Sequence, residues 1–145
     1  MKKIITIIVL FAGILANAQT GSIKVTITGV KQSKGKVQIC LYKSAETFLK
    51  EDEVFKKATI EASIEKCSFV FQSVPVGDYA IFAYWDENEN GKLDKNFIGI
   101  PKEEVGFSQN VVGSMGPPNF NEASFIVKDN NTTELVIYIK KASHL

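Results

Sequence analysis

The chain has 145 residues, 45% of them hydrophobic, with 17 basic and 16 acidic side chains and a formal net charge of +1. So even a balance, with no basic patch, excludes a nucleic-acid footprint. A chain of this length can bury one real core without staples.

Residues 1–18 read as an export leader. Met1-Lys2-Lys3 is basic, Ile4 to Leu15 is apolar, and Ala16-Asn17-Ala18 has the small-x-small cleavage pattern. The apolar run, about 12 residues, is shorter than the roughly 20 that span a bilayer. Cleavage after Ala18 would leave one domain, 19–145, of 127 residues (145 less 18), with 15 basic side chains (17 less Lys2 and Lys3) against 16 acidic. No cysteine stands at the cleavage point, which excludes a lipoprotein signal, and no later stretch is apolar enough to span a membrane.

Ile23, Val25 and Ile27 alternate with polar residues, as do Val37, Ile39 and Leu41. Period-two patterning predicts two half-buried strands, here paired as a hairpin across Gly29 to Gly35. Ser44 to Lys57 is charge-dense, with helix formers and a capping serine, and predicts one or two helical turns crossing between two sheets. Two more short strands follow, over 58–64 and 67–74. In Val74-Pro75-Val76-Gly77-Asp78-Tyr79, the Pro and Gly predict a tight corner. Tyr79 is placed to hydrogen-bond back to the backbone there, as a corner tyrosine does.

Tyr79 to Trp85 is apolar in both alternating sets, which predicts a central strand covered on both faces. Residues 95–121, with their glycines and prolines, read as one long loop. Phe97, Ile98, Ile100, Val105, Phe107 and Phe120 are expected to pack it onto the body. Residues 122–128 and 132–140 read as a closing hairpin with Leu135, Ile137 and Ile139 inward. The sum is an all-β, seven-stranded antiparallel Greek-key sandwich, immunoglobulin-like in outline, with a short helical crossover and one long loop.

Export permits a disulfide between Cys40 and Cys67. Alternation sets Cys67 with Phe69 and Phe71 but Cys40 opposite Val37, Ile39 and Leu41. A bridge and two packed thiols therefore both remain open.

The stretch with a chemical pattern is Asp86 to Asp94, DENENGKLD. Side-chain oxygens recur at Asp86, Asn88 and Asn90. Gly91 allows a sharp bend, Lys92 offers a backbone carbonyl, Leu93 is an apolar anchor, and Asp94 binds directly or through water. This is the order of an EF-hand-type calcium loop. The position of the closing glutamate is Phe97, so Glu103 or Glu104 must close the shell. Such a site would be weak, with a Kd on the order of 10⁻⁴ to 10⁻³ M. The same residues also satisfy a hairpin-end turn, since Asn90-Gly91 is a strong turn pair.

Val74 to Ser108, with VPVGDYAIFAYWDENENGKLD and then NFIGIPKEEVGFS, resembles the domain-of-unknown-function 2141 family of exported bacterial proteins. Gly35 to Leu49 and Gly116 to Phe125 extend the resemblance over nearly the whole chain after the leader. The resemblance implies a secreted or periplasmic β-sandwich of the prealbumin or carboxypeptidase-regulatory kind, and no activity. Members often have His where this chain has Trp85, and Gly where it has Glu89. The first departure removes a possible His ligand or acid–base group from the loop.

These readings converge on an exported, non-catalytic binding or structural module. It is expected to be monomeric, to engage a cell-envelope or extracellular ligand, and to use calcium as its cofactor. A carrier of a small apolar ligand between the two sheets is the second reading. A hydrolase using the loop carboxylates is the third. Prealbumin-like hydrolase chemistry needs several His and Arg residues, whereas the only histidine here is His144 in a KKASHL tail.

Overall fold

The computed structural model describes residues 18–142, so residues 1–17 of the predicted leader, and His144, lie outside the described residues. Among the described residues nine strands form two sheets: β1 (Thr20–Thr28), β2 (Lys36–Tyr42), β3 (Lys56–Glu61), β4 (Cys67–Pro75), β5 (Gly77–Asp86), β6 (Glu104–Phe107), β7 (Phe125–Val127), β8 (Thr132–Tyr138) and β9 (Lys140–Lys141). The smaller sheet runs β4-β1-β8 and the larger β3-β2-β5-β6-β9, with β7 also paired to β5. The all-β, two-sheet expectation holds. The strand count is nine rather than seven, and β1 pairs with β8 in parallel from Ser22 opposite Thr132 to Thr28 opposite Tyr138.

Two expected hairpins do not form. β1 pairs with β4 and β8, while β2 pairs with β3 and β5. β7 pairs with β5, while β8 joins β1. In both cases the connection crosses between sheets. Strands one after the other in sequence face each other across the core instead of lying side by side.

The inward faces carry the alternation. Ile23, Val25 and Ile27 of β1 meet Val37, Ile39 and Leu41 of β2, with Ile81 and Trp85 of β5 and Ile137 beyond β8's midpoint, in one buried cluster. Each such aliphatic side chain contributes about 1.5–3 kcal/mol by leaving water. These packed side chains form the inter-sheet core.

The other face of β5 is buried as well. Ala80, Phe82 and Tyr84 join Cys40, Tyr42, Val105 and Phe107 in a second cluster on the outside of the larger sheet. This is the two-sided burial that the sequence of β5 predicts. The two cysteines fall on opposite sides of this division and are both free. Cys67 lies in the inter-sheet core and Cys40 in the outer cluster. The Cys67 sulfur accepts from the Ser63 N–H at 3.1 Å and lies 3.2 Å from the Ser63 carbonyl. Burial pushes the Cys40 thiol up to about 11.

The 44–57 segment holds a single 3-10 turn, Glu51–Glu53, in place of the expected crossover helix. Leu49 adopts φ 66°, a left-handed conformation that ends any helix begun at Ser44. The segment joins β2 to β3 within one sheet, so it crosses nothing. The predicted long loop also contains structure: β6, a short 3-10 turn after it, and the start of helix α1 (Phe120–Ala123). Asn119 and Glu122 close a reciprocal capping box on α1. Val105, Phe107 and Phe120 pack as expected, but Phe97 is 98% exposed and Ile98 64%.

β5 changes partner along one edge, pairing β7 at residues 77–79 and β6 at 82–84. Ser108, fully buried, bridges the join. Its hydroxyl accepts from the Ile81 N–H at 2.8 Å and donates to the Ala123 carbonyl. At the other corner the Tyr79 hydroxyl donates to the Pro75 carbonyl at 2.9 Å, as the corner reading requires. Tyr79→Phe is expected to lower unfolding stability by about 1 kcal/mol. The check is a lower urea midpoint at unchanged slope.

Candidate functional site

β5 ends at Asp86, which is only 1% exposed. Its Oδ1 accepts from the Asn90 N–H at 3.1 Å, and its Oδ2 accepts from the Gly91 N–H at 2.9 Å and from the Gln38 side-chain amide at 3.3 Å. The carboxylate thus folds the loop around itself. Glu89 at φ 58° and Gly91 at φ 74° make the bend. A Cβ on Gly35 would lie 2.4 Å from the Asp86 carbonyl oxygen, so the β2 approach to this point requires glycine.

Asp94 is the second centre. The Asn88 side-chain amide donates to it at 2.7 Å, and that of Asn90 donates to both its oxygens at 3.1 Å. The oxygens of the two amides meanwhile accept backbone N–H groups, Asn88 from Asn90 at 3.2 Å and Asn90 from Lys92 at 2.9 Å. Leu93 packs against the outer cluster as an anchor.

Residues 94–103 form a small hairpin of their own. The Lys102 N–H donates to the Asp94 carbonyl at 2.9 Å, and Lys95 bridges Pro101. The Asn96 side chain caps the tip by accepting from the N–H groups of Ile98 and Ile100 at 3.0 and 2.9 Å. This closure returns Glu103 to the loop, where its Oε2 accepts from the Asp94 N–H at 3.1 Å. Glu103 is 9% exposed, and its Oε1 is buried with no hydrogen-bond partner. It lines a recess of about 280 Å³ with Glu87, Asn88 and Asp94, where Lys34 and Lys102 supply the positive charge. Burial first, and then Asp86, Asp94 and Glu104 nearby, push the Glu103 carboxyl up to about 7 against the pull of the Asp94 N–H.

The structure therefore divides the predicted ligand set. Asn88, Asn90, Asp94 and Glu103 come together. Asp86 is engaged by the loop's own backbone. Glu104 is committed elsewhere, in an ion pair with Lys31 at 2.9 Å. Among the described residues, no three His, Cys, Asp or Glu side chains converge closely enough to hold a metal by themselves. Any shell here must take its remaining oxygens from the two asparagines and the backbone. Glu103 passes a simple test of fit: its orphaned buried oxygen is a hard donor that no protein group satisfies.

Trp85 turns into the inter-sheet core and donates its indole N–H to the Lys34 carbonyl at 2.7 Å. A histidine in its place would face the core and not the oxygens of the loop, so the departure at this position removes no ligand. The contribution of Gln38 was invisible to pattern reading. Its one signal was an amide standing on a face otherwise occupied by Cys40 and Tyr42.

Among the described residues, no helix is long and apolar enough to cross a membrane. No protein of described function and no solved structure matches the chain. A family model described as an uncharacterized protein conserved in bacteria matches residues 25–134. That span runs from β1 into β8 and takes in the whole loop and the hairpin after it, and on it the chain belongs to the DUF2141 family.

Proposed function

We propose that this chain is an exported, non-catalytic binding module whose 86–94 loop takes a weakly held calcium ion, closed by Glu103. The observation that carries this reading is the unpartnered Glu103 Oε1, buried beside Asp94 and Asn88. A buried carboxylate oxygen without a donor is costly, and a hard cation with oxygen ligands is the partner that suits it. The donor set is Glu103 and Asp94, joined by Asn88 and Asn90 once their side-chain amides turn over to present oxygen instead of nitrogen toward Asp94, with the Lys92 carbonyl as the backbone ligand of the loop pattern. Asp86 serves as the pillar of the loop. The non-catalytic reading is supported by the engagement of Asp86 and Asp94, whose oxygens already accept several donors each.

Thermal unfolding in EDTA and in about 10 mM calcium tests the reading. For a Kd near 10⁻³ M, linkage predicts about 1.4 kcal/mol of added stability, rising to about 2.7 at a hundredfold excess over Kd. Glu103→Gln should abolish the shift. A calcium response equal in wild type and variant, or none in either, would leave residues 86–94 as a turn.

A further inference from the structure

We propose that the outer face of the larger sheet binds an uncharged lipophilic small molecule, in a cleft roofed by the hairpin that follows the calcium loop. This names the ligand class for the binding-module reading and rests on that reading, but not on calcium.

The outer cluster is closed by protein at one end only. There Phe48 packs on Tyr42, Phe107 and Phe120, with ring centroids 5.5, 6.4 and 5.8 Å apart. At the other end the sheet floor of Tyr42, Phe82, Tyr84 and Phe107 opens into a cleft of about 760 Å³. Leu93, Ile100 and Pro101 wall it from one side and Met115 and Pro117 from the other. This volume falls within the range of small-molecule sites, roughly 300–1,000 Å³. The floor residues are each less than a tenth exposed, so a flat protein surface could not reach them.

Charge identifies the ligand further. Four charged residues line the cleft, Glu51 and Asp52 against Lys57 and Lys95. Their sum is zero, and Lys95 already pairs with Glu51 at 3.6 Å between the roof and the 3-10 turn. The lining thus carries no net charge to favour an anionic or cationic head group. Burial holds the phenols of Tyr42 and Tyr84 above their ordinary range, so the floor stays neutral. The Tyr84 hydroxyl reaches the Gly91 carbonyl only at 3.4 Å and can turn to a polar group on a ligand. Phe97 and Met115, almost fully exposed on the same two roof segments, extend the apolar path outward. The Lys95–Glu51 pair is exposed on both sides and adds little to holding the roof against the 3-10 turn.

The experiment titrates the purified chain with N-phenyl-1-naphthylamine, an uncharged fluorescent lipophile, in EDTA and again with calcium. Saturation at one probe per chain is expected, with affinity falling about tenfold or more in Val54→Trp, which fills the cleft. Ile100→Trp, on the roof, is the second filling variant should the first fold poorly. Val136→Trp, on the exposed face of the smaller sheet, should leave binding unchanged. Bound probe should slow methanethiosulfonate modification of Cys40, which lines the cleft, and leave Cys67 unaffected. Absence of saturation, or undiminished affinity in both filling variants, overturns the proposal. So does a dimer seen by sedimentation that excludes the probe, which would make a second copy the occupant. Probe binding without a calcium shift retires the calcium site and keeps the cleft; a calcium shift without probe binding does the reverse.

Discussion

Asp86→Ala is expected to cost about 2–4 kcal/mol of unfolding stability in EDTA, before any cation is considered. The change strips the acceptor from two backbone N–H groups, Asn90 and Gly91, and from the buried Gln38 amide. The two backbone groups lie in an exposed loop and can recruit water. Gln38 is 4% exposed and cannot do so readily, so most of the loss comes from there. Gln38 also accepts from Thr59 at 2.7 Å, which links the loop to β3 at the far edge of the sheet. Urea unfolding of Asp86→Ala beside wild type measures the loss. A loss under about 1 kcal/mol would show that the loop keeps its form without the carboxylate. Because Asp86 supports the loop with or without metal, its removal confounds any calcium assay, and Glu103 is the cleaner probe.

Glu103→Gln is expected to raise stability in EDTA by about 2 kcal/mol at pH 8, and to flatten the pH profile. The sign follows from the direction of the shift. Glu103 titrates at about 7 in the folded chain, above its ordinary value. Folding therefore favours the protonated form. Its stabilising contribution is whole below about pH 4.5, declines as pH rises, and is gone above about pH 7. The facing groups are Asp86, Asp94 and Glu104, which raise the value, and Lys34 and Lys102 in the same recess. The glutamine cannot ionise, can still accept from the Asp94 N–H, and offers its own N–H groups where Oε1 had no partner. In calcium the wild-type slope between pH 4.5 and 7 should shrink as well, because a cation favours the carboxylate. Chemical denaturation at intervals from pH 4.5 to 8, with and without EDTA, reads both effects. A wild-type slope identical to that of the variant would show that Glu103 is not the titrating group.

Tyr79 to Trp85 disclosed its place because burial on both faces leaves no polar set. The same logic could not say which strands are neighbours. The inward sets of β1 and β2 look alike whether the strands lie side by side or face each other across a core. The seven-residue link from Gly29 to Gly35 is long enough for either. The helix expected after Ser44 failed on Leu49, whose left-handed backbone no composition rule anticipates. In the loop, the spacing of oxygens was legible. How they are used was not, because backbone donors compete for them. Asp86 lost its oxygens to Asn90 and Gly91, and the amides of Asn88 and Asn90 turned their nitrogens to Asp94. Glu103 was marked as a closing residue by proximity alone. Its orphaned oxygen depends on the 94–103 hairpin, a tertiary fact.

The parallel pairing of β1 with β8 bears on how the chain reaches this state. Partners such as Ser22 and Thr132 are separated by most of the chain, and among the described residues β1 has β4 and β8 as its sheet neighbours. The smaller sheet therefore cannot close until the last regular strands have been made and released. Contacts of such long sequence separation slow folding, typically into the millisecond-to-second range. β1 can pair with β4 first, but its other edge stays open, a row of unpaired backbone groups, until β8 arrives to cover it.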